Sequence, residues 1–199
     1  MKLKKSFYTR EDVTQVAKEL LGKYLFTSYQ DTVTGGIILE TEAYAGVIDK
    51  ASHAYNGRRT ARTETMYSHG GTAYVYICYG IHSLFNVVTN VKDVPHAVLI
   101  RAIHPTHGIA SMLRRRRMEQ LKKNLSGGPG TVAEALGIPV TDSGISLLGK
   151  KIWIEDKGIR IREEDIVSGK RIGVESAGKD ALLPYRYTLQ RGVLESITG

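Results

Sequence analysis

The sequence predicts a single domain, residues 1–199, that mixes helices and strands, on three observations. A chain of 199 residues can bury one sizeable core, or at most two small ones. Apolar residues make up 42% and charged residues 24%, a balance that excludes global disorder. Helical and strand periodicities alternate along the chain without an internal repeat.

The elements follow in order. Thr9 followed by Asp12 has the form of a capping box, and Val13, Val16, Ala17, Leu20 and Leu21 then recur at helical spacing until Gly22 stops the helix. Tyr24 to Ser28 and Gly36 to Glu42 read as strands joined by a polar, glycine-containing turn, with Glu42 at the end of the second. Ala45 to Gly71 has little periodicity and reads as a long loop, a length that compact domains usually reserve for function or disorder. In Ala73 to Cys78, Tyr74, Tyr76 and Cys78 alternate with Ala73, Val75 and Ile77, and Tyr79-Gly80 turns the chain, which places Tyr79 near the tip of a hairpin. Leu84 to Thr89 and Ala97 to Ala102 read as central strands carrying Asn86 and Arg101. Gly108 to Lys123 reads as a helix on which Arg114 to Arg117 spread around the axis, because neighbours are about 100° apart; a solvated face is favoured over a phosphate-facing one. Ser126-Gly-Gly-Pro-Gly130 is a turn entering a short helix, either a tight structural turn or a cradle of N–H groups for a phosphate. It lacks the Lys-Ser/Thr of a nucleotide-binding P-loop. Lys151 to Glu155, Arg160 to Arg162 and Arg171 to Val174 read as short strands.

Lysine and arginine number 28 against 20 acids, a net charge of +8. That excess favours a polyanionic partner, since each neutralised phosphate releases condensed counterions, although ordinary surface lysines would give the same number. There is no run of about 18 apolar residues, and the N-terminal Met-Lys-Leu-Lys-Lys is not followed by an apolar stretch. The expectation is therefore no membrane span, no signal peptide and a cytoplasmic location. The single cysteine, Cys78, excludes an internal disulfide and a cysteine-cluster zinc site, and its apolar strand suggests a buried thiol. Six histidines, at 53, 69, 82, 96, 104 and 107, form no metal-binding constellation. Neither metal nor cofactor is expected.

Between Glu42 and Tyr79 a carboxylate is grouped with Tyr44, His53, Tyr76 and Tyr79. Alternation puts Glu40 and Glu42 on one side of their strand. A carboxylate among rings and near a cation such as Arg101 stays ionised and can take a proton from water, which is the work of a general base. Tyr44, His53 and Tyr76 taken singly are ordinary packing residues. Taken together in a basic chain they suggest a stacking pocket, because every nucleobase has a π-face and a cationic, alkylated base adds cation–π attraction.

Glu40-Thr-Glu-Ala-Tyr-Ala-Gly46, Ala51-Ser-His53, Arg58 to Arg62, Met66-Tyr67, Gly71-Thr-Ala-Tyr-Val-Tyr-Ile-Cys-Tyr-Gly80, Asn86, Leu99-Ile-Arg-Ala102, Ser126-Gly-Gly-Pro, Arg171-Ile-Gly-Val174 and Pro184-Tyr-Arg-Tyr187 resemble, in order and spacing, the alkyladenine (3-methyladenine, or methylpurine) DNA glycosylases of the mammalian type, which also occur in bacteria. The resemblance implies an α+β fold, a single domain with a curved, mainly antiparallel sheet flanked by helices, with a protruding β-hairpin and no metal. It implies that Glu42 activates the attacking water, that Arg101 helps to hold water and carboxylate, and that the carbonyl of Val174 completes the water's shell. Tyr44, His53 and Tyr76 would sandwich an extruded base, and Asn86 would crowd the exocyclic amino group of normal guanine. Tyr79 would fill the gap in the duplex, and Arg58, Thr60, Arg62 and Met66 would face the DNA backbone. Ile81 and Ala61 depart from the family pattern at DNA-facing positions.

The implied partner is double-stranded DNA containing alkylated or deaminated purines, bound by a monomer. No catalytic lysine is evident in the Glu42 to Asn86 block, so the expected reaction is hydrolysis that leaves an abasic site without strand cleavage. His53 could hydrogen-bond the base, and no residue is assigned as acid for the leaving group. Two rivals stay open from sequence: a non-catalytic nucleic-acid binding domain, and a hydrolase of small nucleosides using Glu42 with Glu40.

Overall fold

The computed structural model describes residues 1–198, the side chain of Thr198 excepted. A short helix, α1 (Lys5–Tyr8), precedes α2 (Val13–Leu20) and was not foreseen. The cap of α2 is Asp12 itself, whose Oδ1 accepts the N–H groups of Thr14 and Gln15 at 2.9 and 3.1 Å; Thr9 instead closes α1, so the predicted box is corrected. A side-chain oxygen at the cap satisfies N–H groups that have no partner within the helix. Val16, Ala17 and Leu20 form the buried stripe.

Strands β1 (Tyr24–Tyr29) and β2 (Thr32–Tyr44) pair antiparallel around Gln30-Asp31, both left-handed at φ 47° and 59°. The predicted glycine turn is thus wrong. Gly35 and Gly36 lie inside β2, where an added Cβ would meet the Phe26 ring and the His104 carbonyl oxygen, each at 2.3 Å. The glycines serve close backbone approach rather than turning. β2 also runs two residues past Glu42.

Strands β3 (Ala73–Cys78) and β4 (His82–Thr89) form the hairpin, and β5 (His96–His107) returns beside β2. Helix α3 (Ile109–Arg115) is shorter than predicted, because Arg117 turns left-handed at φ 52°. Two arginines at its C-terminal end are structural: Arg115 donates to Ala135 O at 2.9 Å and the capping Arg116 to Glu134 at 2.5 Å, tying α3 to α4 (Pro129–Leu136). At the start of α4 the Thr131 hydroxyl accepts the Gly128 N–H at 3.0 Å and donates to the Gly128 carbonyl at 2.8 Å. Gly128 is therefore tied into the turn that opens α4.

β6 (Ile152–Glu155) pairs with β1, β7 (Ile166–Gly169) with β8 (Arg186–Leu189), and α5 (Arg191–Thr198) ends the described chain. Arg160 to Arg162 and Arg171 to Val174 are not strands; Ile159 and Ile161 pack across Gly22, and Arg171 is turned inward.

The sheet runs β3-β4-β5-β2-β1-β6 and is antiparallel throughout, with β8 pairing the second half of β2 after β1 has left it. Register shifts between Ile38 and Thr41 bend β2 where the two pairings exchange. One face carries the main core, in which Ala43, Phe85, Val87, Val98 and Ile100 meet α2 and α4. On the other face a smaller cluster of Ala54, Met66, Tyr67, Tyr74, Val88 and Ala97 pins the segment 45–71 to the sheet. That segment is built from short 3₁₀ turns at Gly46–Ile48, Tyr55–Gly57 and Glu64–Tyr67. No described helix is long and apolar enough to cross a membrane.

Candidate active site

The face that carries the smaller cluster is also hollowed by a cavity of about 680 Å³, lined by side chains from β2, β3, β4, β5, the 45–71 segment and residues 172–176. Tyr44, His53, Arg58, Arg62, Met66, Tyr76, Tyr79, Asn86, Arg101 and Val174 all reach it. Residues 130 positions apart thus share one site, and no local spacing reports that meeting.

Glu42 is fully buried beneath the wall that Tyr44, Arg101 and Ile172 give the cavity. Its Oε1 accepts the Ile172 N–H at 2.8 Å, and its Oε2 accepts the Tyr44 hydroxyl at 2.8 Å and lies 3.3 Å from Arg101 Nη1. Arg101 also donates through Nε to Glu40 at 3.1 Å, and Arg186 meets the same Glu40 oxygen at 3.1 Å. Strand alternation places both acids toward these arginines, as the spacing predicts.

The electrostatics refine one expectation. Burial pushes the Glu42 carboxyl above the usual carboxylate range, and Arg101, the Ile172 N–H and the Tyr44 hydroxyl offset this only in part. The charged form is held by two hydrogen bonds and an ion pair, yet its proton affinity is raised, which is the setting of a general base. Burial likewise raises the Tyr44 and Tyr76 hydroxyls, so both rings are neutral phenols.

His53 reaches the cavity from the loop with Nδ1 2.9 Å from the Tyr74 hydroxyl and its ring edge-on to Tyr76 at 4.6 Å. Burial first, then the charges of Arg62 and Arg58, lower its pKa to about 4. It is a neutral imidazole at neutral pH. Arg62 lies over the Tyr76 ring at 5.0 Å. Asn86 is buried and donates to the carbonyls of Tyr74 at 3.2 Å and Leu84 at 3.4 Å, which fixes its amide in the cavity wall.

Tyr79 stands at the hairpin tip, 89% exposed. Cys78 beside it is half-buried, not the buried thiol expected, because the hairpin projects beyond the core. Two of the residues expected to face DNA sit differently from Arg58 and Arg62. Met66 is 2% exposed, clusters with Tyr67 and Tyr74, and its side chain lines the cavity. Thr60 is exposed on the loop outside the cavity, and its N–H donates to Thr63 Oγ1 at 2.8 Å.

Sequence reasoning missed Asp49 and Arg171. They form a buried ion pair at 2.5 Å just behind the Tyr44 ring, which the guanidinium approaches to 4.8 Å. Arg171 to Val174 reads from sequence as a short strand and as part of the resemblance, with no signal for an inward-turned guanidinium, and Asp49 sits in a segment without periodicity.

The site therefore offers a buried, donor-held carboxylate behind a ring-lined cavity, with cations at Arg58 and Arg62 and a projecting tyrosine. The family described as "Methylpurine-DNA glycosylase (MPG)" matches residues 6–192. A protein of Chlamydia felis (strain Fe/C-56) is 47% identical over 188 residues, covering 94% of this chain and 95% of its own. Relatives from Clostridium perfringens (strain 13 / Type A) and Bacillus cytotoxicus are 46% and 41% identical, covering 89% and 96% of this chain and 90% and 97% of their own. All three carry the name "Putative 3-methyladenine DNA glycosylase". With nearly its whole length matched, the chain belongs to the methylpurine-DNA glycosylase family and is a DNA-repair glycosylase that hydrolyses N-glycosyl bonds.

Proposed function

We propose that this glycosylase flips alkylated or deaminated purines out of duplex DNA into the ring-lined cavity and releases them by water attack at the sugar, leaving an abasic site. The observation that carries the reading is Glu42, fully buried, held by two hydrogen bonds and an ion pair and pressed against the cavity wall. A carboxylate accepts about four hydrogen bonds; the Ile172 N–H and the Tyr44 hydroxyl fill two, which leaves acceptor positions for water. Glu42 is closed to solvent, and the Tyr44–Ile172 wall has to part by the width of a water molecule.

Cleavage makes an oxocarbenium-like sugar. A nearby carboxylate stabilises that charge while it takes the water's proton. Arg101 keeps the carboxylate oriented, and the Val174 carbonyl is the second acceptor for the water. Tyr44, His53 and Tyr76 stack on and border the flipped base, with Asn86 limiting what fits beside it. Tyr79 occupies the hole in the duplex, and Arg58 and Arg62 attract the phosphates. Alkylated purines are favoured on two counts: they leave easily because they are cationic, and they flip cheaply because they pair poorly. The working unit is a monomer in the cytoplasm, since one copy contains every group named. The family assignment stands against the non-catalytic domain and the nucleoside hydrolase.

The test is to incubate the protein with duplexes carrying 3-methyladenine, 7-methylguanine, hypoxanthine or ethenoadenine and to measure free base. Release from none of them refutes the proposal. Glu42→Gln is expected to bind the lesion duplex and release nothing.

A further inference from the structure

We propose that Arg171 and Asp49 are positioning residues for base release, acting through Ile172 and Tyr44 rather than on substrate. The inference rests on the reading of Glu42 as the base and extends it. Neither residue lines the cavity.

Both Nη atoms of Arg171 meet the Asp49 carboxylate, at 2.5 and 2.8 Å, and they also donate to the carbonyls of Ala43 at 2.9 Å and Asp180 at 3.0 Å. The Asp49 carboxylate accepts the N–H groups of Ala45 and Ala51, each at 3.0 Å, and Asp180 accepts the N–H of Lys50 at 2.8 Å. One buried pair therefore joins the end of β2, the loop that carries His53, and the segment 171–180. The residue after Arg171 donates its N–H to Glu42 Oε1. The guanidinium also lies between the Tyr44 ring, at 4.8 Å, and the Tyr185 ring, at 5.3 Å, and Tyr44 is the second donor to Glu42.

Two of the three groups that hold the base are thus fixed by the same ion pair. A buried ion pair adds little net stability over a well-packed apolar replacement, so stability alone does not account for it. The planar fork suits arginine and not lysine, because four bonds and two ring faces are met at once. Misplacing a catalytic group by about 1 Å costs roughly 100-fold in rate.

The test is single-turnover base release from a lesion duplex across pH, with duplex affinity and thermal unfolding measured on the same samples. The variants are Arg171→Lys, Asp49→Asn and the charge-free double Asp49→Leu/Arg171→Met. The charged and polar groups facing Glu42 are Glu40, Tyr44, Tyr76, Arg101 and Arg171. Only the last is altered by Arg171→Lys, which keeps its charge and loses its fork.

The expected result is a fall in rate of about 10- to 100-fold, duplex affinity changed less than threefold, and an acid limb displaced to higher pH as Glu42 loses the Ile172 N–H. The double variant, which packs without charge, is expected to be folded and to show the same rate loss. A rate that falls only in proportion to the unfolded fraction, or an unmoved acid limb, overturns the proposal. Release by Glu42→Gln at the unaltered rate overturns the base reading as well. Abolition by Glu42→Gln with an unmoved acid limb in Arg171→Lys overturns this proposal alone.

Discussion

Replacing Tyr79 by asparagine should make the protein more stable and a worse glycosylase. Tyr79 and Gly80 are consecutive left-handed residues at φ 50° and 72°, and the Ile81 N–H closes the turn on the Cys78 carbonyl at 3.1 Å. Glycine and asparagine take this conformation readily, whereas a large side chain pays about 1–2 kcal/mol for it. The Tyr79 ring is 89% exposed, so its removal forfeits almost no burial. The net gain is about 1 kcal/mol, which for a domain of this size corresponds to a rise in Tm of roughly 2–4 °C.

Function should move the other way. Extruding a base costs a few kcal/mol of lost stacking and pairing, and every 1.4 kcal/mol of it left uncompensated is about tenfold in rate. Single-turnover release from a hypoxanthine duplex is therefore expected to drop at least about tenfold. Release from the same lesion in single-stranded DNA, which has no hole to fill, should change little. Circular dichroism melting and the two release rates decide the matter. A lower Tm would refute the strain argument; equal losses on duplex and single strand would refute the wedge.

Glu42→Gln is expected to abolish release and to raise Tm. The folded pKa of Glu42 lies above its unfolded value, so its contribution to stability is fully present below the unfolded pKa and is lost as pH rises through the folded one. The Tm advantage of glutamine should accordingly widen from acid to neutral pH, and a constant difference would count against it. For the same reason the acid limb of wild-type single-turnover release should lie above the ordinary carboxylate range. With the His53 pKa near 4, a His53→Gln variant should keep that limb in place; a limb that vanishes with the imidazole would reassign it. Asp12→Ala removes the cap of α2 on the face away from the cavity and should cost about 1 kcal/mol, read as a lower Tm with base release per folded molecule unchanged.

The elements legible in the sequence are those whose signal is local. The buried stripe of α2 and the alternation of β3 each repeat at the period of their own backbone, and Tyr79-Gly80 carries its turn chemistry in two residues. The failures share a cause as well. Gly35 and Gly36 read as a turn because a glycine pair usually is one; they are strand because Phe26 and the His104 carbonyl crowd against them. Arg115 and Arg116 read as solvated because the residues they bind, Ala135 and Glu134, lie about 20 positions downstream.

Sequence by itself determined the residue chemistry of the site: a carboxylate two residues from Tyr44, rings on one face of a hairpin strand, a net positive chain, and a family pattern specific enough to name the reaction. Tertiary structure alone decided that Ile172, from 130 residues away, is a donor to Glu42, that burial raises that carboxyl's proton affinity, and that the Met66 side chain is buried in the cavity lining. The physical reason is that hydrogen-bond partners and desolvation are properties of what packs against a side chain, and in this antiparallel sheet those neighbours come from distant strands and loops.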